Sequence, residues 1–273
     1  MCHSLDEVKR LVTRFDGSVA FVINHSGGKD STRMLGLVRE SFPNIDTLAV
    51  MADTGFEHQR PIPAADFARS RCSAFKVPLT VVRNPRRTYL EMVEQRGMFP
   101  SAQYRQCTSD LKRGPIEKYI RTLPYRLIFN CMGIRSEESS PRSKLDPFSL
   151  NVSLTTRTRT VYNYFPIFEQ TLSEVLAWHW ENTIPLHPVY IPGFHNDGTT
   201  GGYLRRLSCR LCIFSTNSDL VAIRQRDPEA FHAVSELEQK IGFTMRSTGG
   251  LIQIADAAQA AIEVRNAQVC LPF

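Results

Sequence analysis

Val19-Ala20-Phe21-Val22-Ile23-Asn24, then His25, then Ser26-Gly27-Gly28-Lys29-Asp30-Ser31-Thr32: this stretch decides the fold. Its first part is apolar and rich in β-branched residues without polar alternation, the pattern of a strand buried on both faces in a parallel sheet. Two glycines interrupt the run, and Thr32 to Phe42 then reads as a helix stopped by Pro43. A helix that opens behind a glycine pair presents backbone N–H groups and the positive end of its dipole to an anion. Lys29 adds a positive charge there, and Ser26, Ser31 and Thr32 add hydroxyl donors. The glycine spacing excludes a Walker loop.

Outward from that stretch, strands and helices alternate. Residues 4–15 read as an amphipathic helix. Strands are expected at 45–52, 79–83, 126–132 and 158–165, with helices at 63–75, 88–96 and, behind the helix-breaking Pro115, 115–122. Residues 108–113 are expected as a separate short turn of helix. This order implies an α/β fold, a doubly wound parallel sheet whose ligands sit beyond the carboxyl ends of the strands. After Phe165 the pattern becomes mainly helical, with helices near 172–182, 219–226, 228–241 and 250–265. The expected division is therefore 1–168 for the nucleotide-binding α/β domain and 169–273 for a smaller helical region.

The chain has 273 residues and 42% hydrophobic content, enough for a full core. Residues 1–16 lack the apolar core of a signal peptide, and no apolar run reaches the length of a membrane span. A cytoplasmic protein with no membrane partner is expected. The formal charge is +6, and 26 of the 33 basic residues are arginines, whose planar fork matches phosphate or sulfate. Such a balance suits a polyanion, either a nucleotide or a nucleic acid, or simply a solvated basic face.

Four segments together resemble the phosphoadenosine phosphosulfate (PAPS) reductase family of PP-loop, Rossmann-like proteins. Ser26 to Thr32 is similar to the SGGxDS loop of ATP pyrophosphatases. Asp53-Thr54-Gly55-Phe56-Glu57-His58 resembles the family's DTG-x-E segment, and Gly133-Ile134-Arg135-Ser136-Glu137-Glu138-Ser139 with Arg142 resembles its GIRxxES-x-x-R segment. The stretch from Pro185 to Cys212 resembles relatives with a Cys-x-x-Cys pair. The resemblance implies that Ser26, Gly27, Gly28, Lys29, Asp30, Ser31, Thr32, Asp53, Thr54, Gly55, Gly133, Arg135 and Arg142 hold ATP and Mg²⁺. Lys29, Asp30, Arg135 and Cys107 are then the expected catalytic residues. Asp30 is read either as a Mg²⁺ ligand or as a helix cap.

The resemblance has limits. Assimilatory reductases have degenerate loops and a Glu-Cys-Gly-x-His tail, whereas here the loop is intact and the tail reads Val269-Cys270-Leu271-Pro272-Phe273. These departures point to ATP-dependent chemistry.

Seven cysteines in a reducing compartment are free thiols, metal ligands or redox groups. Cys209 and Cys212 have metal-ligand spacing, and the resemblance adds Cys107 as a third ligand of a [4Fe–4S] cluster. Cys107 also sits among Arg105, Lys112 and Arg113, which should favour its thiolate. A Cys₃His zinc site completed by His179, His187 or His195, a redox dithiol and plain buried thiols remain open. Cys72 and Cys131 read as core thiols. Arg83, Arg86 and Arg87 form one basic cluster, and Arg205, Arg206 and Arg210 another, with no aromatic residues interleaved for base stacking.

The function expected is ATP cleavage between the α and β phosphates to adenylate an acceptor, coupled to sulfur transfer. The expected partner is an adenine nucleotide, with the sulfur donor and acceptor left open; the arginine clusters suit nucleotide phosphates, a nucleic-acid backbone, an acidic protein carrier or a solvated face. A reductase releasing sulfite and a nucleotide-binding subunit without chemistry of its own are the alternatives.

Overall fold

A computed structural model describes residues 3–190, 204, 206–207 and 209–269. His195, Arg205 and Cys270 lie outside the described residues. The elements in chain order are α1 (His3–Arg14), β1 (Val19–Asn24), α2 (Lys29–Ser41), β2 (Asp46–Asp53), α3 (Ala64–Ala74), β3 (Leu79–Arg83) and α4 (Tyr89–Arg96). Then come α5 (Gln106–Thr108), a π-helical stretch Ser109–Arg113, α6 (Gly114–Thr122), β4 (Leu127–Met132), α7 (Ser140–Ser143), β5 (Phe148–Leu150) and β6 (Thr160–Tyr164). α8 (Leu172–Glu181), α9 (Asn217–Arg226), α10 (Pro228–Ile241) and α11 (Leu251–Val269) complete the chain.

Six strands form one sheet in the order β3-β2-β1-β4-β6-β5. β1 pairs in parallel with β2 on one side and β4 on the other, so the strand order reverses at β1. A crevice for ligands opens at such a switch point, and the Gly27-Gly28 loop lies directly beyond it. Each face of β1 is buried. Phe21 and Ile23 join Phe129 and Cys131 beneath Val8, Met34, Leu35 and Val38. Val22 on the opposite face joins Val50, Ile128 and Val161, against Ile116 and Ile120.

Toward the carboxyl ends of the strands, the second face turns polar. Asn24 Nδ2 donates to Asn130 Oδ1 at 2.7 Å, Asn130 Nδ2 to Asn163 Oδ1 at 3.0 Å, and Asn151 Nδ2 to the same oxygen at 3.0 Å. A row of carboxamides thus crosses β1, β4 and β6.

Three expectations change. β5 runs antiparallel to β6 at the sheet edge, and its three residues are too few to carry a periodic signal. The expected break before Pro115 is absent: α5, the π-helical stretch and α6 follow one another without interruption. The wider π turn accommodates a proline that has no N–H to contribute. The division of the chain also differs from a single cut after residue 168. One compact unit comprises Met1–Ala52, Ala64–Val82 and Arg113–His187, and the other Asp53–Pro63, Arg83–Lys112 and Pro188–Phe273. The second unit thus draws two segments from the α/β half: α4 packs against α10, and Glu57 forms a β-bridge with Cys209.

In the second unit, α9 is capped by Thr216 and α10 by Asp227. Leu220, Ile223, Phe231, Val234, Leu251 and Ala255 are buried in its core. Glu238, also buried, accepts hydrogen bonds from the backbone of Met245 at 2.7 Å and of Leu251 at 2.9 Å. No helix among the described residues is long and apolar enough to cross a membrane.

Candidate functional sites

The loop after β1 is built by short-range hydrogen bonds. Gly27 has φ +78°, a left-handed conformation that a side chain would strain. Its N–H donates to Nδ1 of buried His25 at 3.0 Å, and His25 Nε2 stands 3.4 Å from Thr32 Oγ1. Thr32 Oγ1 donates in turn to Gly28 O at 3.0 Å, as Ser31 Oγ does at 2.9 Å. Burial, and secondarily the charge of Arg71, lower the His25 pKa to about 3. The ring is therefore neutral, with its proton on Nε2 and its other nitrogen accepting from the loop. His25 belongs to no recognised motif; its place between a buried strand and a glycine pair was the available signal.

No side chain caps the N-terminus of α2. Asp30 is not a helix cap; it forms an ion pair with Lys29 Nζ at 3.2 Å and accepts from Arg135 Nε at 2.8 Å. Lys29 is 8% and Arg135 4% exposed. Burial works against the Arg135 charge, and Asp30 and Glu137 more than offset it, so its pKa lies above the ordinary value. Arg135 also pairs with Glu137, and Arg142 with Glu138. Gly133 permits this arrangement: a Cβ there would lie 3.2 Å from the Asp30 carbonyl carbon and 3.3 Å from Ser31 N. Two buried cations and an uncapped helix end fit a polyphosphate, and the Asp30 carboxylate fits a hard cation such as Mg²⁺ in donor chemistry.

His179 and His187 were weighed as zinc ligands, and both have structural roles in the first unit. His179 Nε2 faces Lys29 O at 2.9 Å and its Nδ1 faces Ile184 O at 3.1 Å, which holds the first turn of α2 in place. His187 is fully buried, edge-on to Phe67 at 4.9 Å.

Asp53, Thr54 and Gly55, expected at the nucleotide, belong to the second unit. Gly55, with φ +73°, donates its N–H to Asp53 Oδ1 at 2.8 Å. Thr54 Oγ1 donates to Glu57 Oε1 at 2.7 Å and lies 3.8 Å from Cys209 Sγ, while Thr54 O accepts from Tyr89 N at 2.8 Å. Glu57 and Cys209 face each other in a β-bridge, and Arg210 N donates to Phe56 O at 2.8 Å. The DTG-x-E turn is thus fastened to the Cys-x-x-Cys segment.

Cys107, Cys209 and Cys212 of this unit form no disulfide with one another; Cys212 interacts electrostatically with each of the other two, and all three with Lys112. The Lys112 ammonium pKa is raised, chiefly by Cys209. Burial pushes the Cys209 pKa up to about 12 against the pull of Lys112. The expectation that basic neighbours favour a Cys107 thiolate fails for the same reason: burial outweighs Lys112, and the pKa rises. Among the described residues no three His, Cys, Asp or Glu side chains form a group that could hold a metal ion in this arrangement. In donor chemistry, however, three thiols beside an ammonium suit an anionic thiolate-bound group.

Of the basic clusters, Arg87 pairs with Asp110 at 2.6 Å, Arg210 bonds Asp227 at 2.6 Å through Nε, and Arg83 lies 3.7 Å from Asp53. Arg86 and Arg206 are exposed. The sequence showed no aromatic residue interleaved with cations, but the fold supplies one: Arg105 lies over the Phe214 ring at 5.8 Å. Tyr104 is 64% and Phe214 44% exposed.

Comparison with known proteins places these sites in a family. The chain is 24% identical over 218 residues to an uncharacterized protein of Methanocaldococcus jannaschii, a match covering 80% of this chain and 47% of the relative. The chain therefore spans about half of that relative's length. An uncharacterized 37.8 kDa protein of Escherichia phage 186 is 25% identical over 280 residues, covering 85% of this chain and 78% of the relative. Among solved structures, a U34-tRNA thiolase of Methanococcus maripaludis with its [4Fe–4S] cluster has a TM-score of 0.47 and 15% identity, covering 95% of this chain and 78% of the other. The phosphate complex of a PAPS reductase from Candida auris has a TM-score of 0.45 and 13% identity, covering 69% and 83%. The model of the phosphoadenosine phosphosulfate reductase domain matches residues 20–212. That match runs from the second residue of β1 to the second cysteine of the Cys-x-x-Cys pair, and the chain belongs to the phosphoadenosine phosphosulfate reductase domain family.

Proposed function

We propose that this chain is an adenylating enzyme: it binds Mg-ATP at the loop after β1, cleaves it between the α and β phosphates and prepares an acceptor for sulfur transfer. One observation carries the reading. Lys29 and Arg135, both buried, converge on Asp30 at the uncapped N-terminus of α2. This is an electrostatic cradle set in place before any phosphate arrives.

In the proposed reaction an acceptor oxygen attacks the α-phosphorus. A new P–O bond forms, the bond to the α–β bridging oxygen breaks, and pyrophosphate leaves with the bonding pair. Backbone N–H groups of the first turn of α2, from Lys29 to Ser31, orient the β and γ phosphates, and Lys29 and Arg135 stabilise the charge that collects on them. Mg²⁺, when bound, would be held by Asp30 and would neutralise further phosphate charge. A sulfur nucleophile then displaces AMP from the adenylated acceptor. Cys107, Cys209 and Cys212 would hold a [4Fe–4S] group, which supplies an iron with an open position for a sulfur species. Nucleic acid is the favoured acceptor on one observation, the exposed Tyr104 and Phe214 beside Arg105, since a base stacks on such rings.

The test is pyrophosphate release from Mg-ATP, with calorimetric binding of Mg-ATP and of PAPS to anaerobically purified protein. Tighter binding of Mg-ATP, with pyrophosphate release lost in Lys29→Ala, is the expected result. Tighter binding of PAPS, accompanied by sulfite release, would replace this reading with a reductase. Tight ATP binding without turnover of any acceptor would replace it with a nucleotide-binding subunit.

A further inference from the structure

The parallel strands of the first unit begin level with one another. Asp46 of β2 is opposite Ala20 of β1, Val19 of β1 opposite Leu127 of β4, and Leu127 opposite Thr160 of β6. Their amino ends form one edge of the sheet, and the glycine loop lies beyond the other. Cations gather at the amino edge: Arg39 in the last turn of α2, Lys76 before β3, Arg126 before β4, and Arg157 and Arg159 before β6. Lys76, Arg126 and Arg157 are exposed, and Arg39 and Arg159 are half-buried.

These charges are not balanced by acids. In the same unit Lys29, Arg33, Arg113, Arg121, Arg135 and Arg142 have carboxylate partners. Among the described residues, none of the five at this edge forms an ion pair. They are held by neutral groups instead. Arg159 Nη1 donates to the carbonyls of Ile120 at 3.2 Å and Arg121 at 3.1 Å, and Arg126 stands over the Phe15 ring at 6.0 Å. Thr160 N donates to Arg126 O at 2.8 Å, which keeps the approaches to β4 and β6 side by side. Asp16 and Asp46 also stand at this edge, and Asp46 accepts from the Tyr125 hydroxyl at 2.9 Å.

Tyr125 and Asp46 share the wall of a cleft of about 350 Å³ with Arg39, Asn44, Lys76 and Pro78. Lys76 occupies its place against backbone preference. α3 ends in a Schellman turn, with Lys76 N donating to Ser73 O and Val77 N to Cys72 O, both at 2.9 Å. Lys76 has φ +56° there, a conformation that glycine adopts freely and lysine does not. The strained residue is the one that brings a cation to the cleft.

We propose that this edge binds a single-stranded nucleic acid, with one nucleotide in the cleft and neighbouring phosphates on Arg126, Arg157 and Arg159. Phosphates match the planar fork of arginine, and an unpaired base has an aromatic side chain to pack against in Tyr125. A free nucleotide would fill the cleft and leave the three arginines unused. The row follows five adjacent strands about 4.8 Å apart, roughly 20 Å in all. A duplex keeps its bases stacked and has none to seat in the cleft. This goes beyond the function proposed above: the surface shares no residue with the glycine loop or the thiol unit, and it holds a strand without reacting with it.

The experiment measures binding of a fluorescein-labelled single-stranded oligonucleotide to the full chain by anisotropy, without ATP, over a range of salt concentrations. Wild type should bind it more tightly than the matching duplex or AMP. Replacing Arg126 and Arg157 together by glutamine should weaken binding severalfold and flatten the dependence of log K on log salt by about 0.7 for each cation removed. Lys76→Gly should weaken binding while raising the urea midpoint, a pair of opposite effects that misfolding cannot produce. Wild-type affinity in these variants, with the loss confined to Tyr104→Ala and Phe214→Ala, would overturn the proposal. Equal affinity for the duplex, for AMP or for polyglutamate would overturn it as well. Pyrophosphate release plays no part in this readout, so either failure leaves the adenylating reading standing.

Discussion

The phosphate loop and the thiol site are built on opposite plans. The loop is contiguous: His25, Gly27, Gly28, Ser31 and Thr32 hold one another through hydrogen bonds spanning at most seven residues. Its charges are already paired, Lys29 and Arg135 with Asp30, and Arg142 with Glu138. The thiol site is assembled from distant segments, the turn at Thr54, Tyr89 on α4, Cys107 on α5, and Cys209 with Cys212. It retains an unpaired buried hydroxyl and thiols that burial keeps protonated. One site is organised by its own local hydrogen bonds and paired charges; the other exists only through the tertiary fold.

Four experiments would break or sharpen this contrast. The largest effect is expected for Lys29→Ala. Loss of a preorganised charge in such a site costs about 10²–10³ in kcat, so pyrophosphate release should fall by at least that factor while the circular dichroism spectrum is unchanged. Cys209→Ser should leave ATP binding as in wild type; equal loss in both variants would mean that the two sites do not have separate tasks.

Gly36→Ala comes next. A mid-helix glycine usually gains about 1 kcal/mol on becoming alanine, but here the new Cβ would stand 2.4 Å from Trp178 Cζ2. Overpacking of this kind costs about 1–3 kcal/mol, so urea unfolding should show net destabilisation. An unchanged or raised midpoint would show that α8 yields easily and that the scaffold behind the loop is soft.

A smaller effect concerns acid. The His25 pKa is lowered by burial and Arg71 from 6.5 to about 3, so between these values the unfolded chain binds a proton that the folded one refuses. Its contribution is complete above about pH 6.5 and declines toward pH 3 at about 1.4 kcal/mol per unit. Compared with wild type, His25→Asn should lose less stability between pH 7 and 5.5. Parallel losses would mean that the ring is protonated without cost and does not hold the loop as a neutral acceptor.

The smallest effect is expected for Arg83→Ala. Its partner Asp53 lies 3.7 Å away, and the arginine side chain is 62% exposed, so the change in stability should stay within about 1 kcal/mol. A larger loss would give the turn at Asp53 an organisation as firm as that of the loop.

The same contrast explains what the sequence revealed. β1, the glycine loop and α2 were legible because adjacent residues determine them, and Gly133 and Arg135 could be paired with the loop through a motif. His25 was missed and His179 was weighed only as a zinc ligand, since a histidine that braces a loop looks in sequence like any other. The π-helical stretch before Pro115 and the three-residue β5 escaped because a proline reads as a break and three residues show no period. The bridge from Glu57 to Cys209 was not legible either, because it joins segments more than 150 residues apart.

The row of carboxamides through Asn24, Asn130, Asn163 and Asn151 bears on how the chain finds its fold. Asn24 and Asn130 are 106 residues apart, and parallel strands joined over such distances pair slowly. Apolar faces differ little between strands, so a strand slid by two residues would still bury valine on isoleucine. Here the same slip would set an amide against a hydrocarbon and leave it unmatched, at about 1–3 kcal/mol for each buried group. The asparagines therefore act as a key for strand register, rejecting misaligned sheets while β1, β4 and β6 are still assembling.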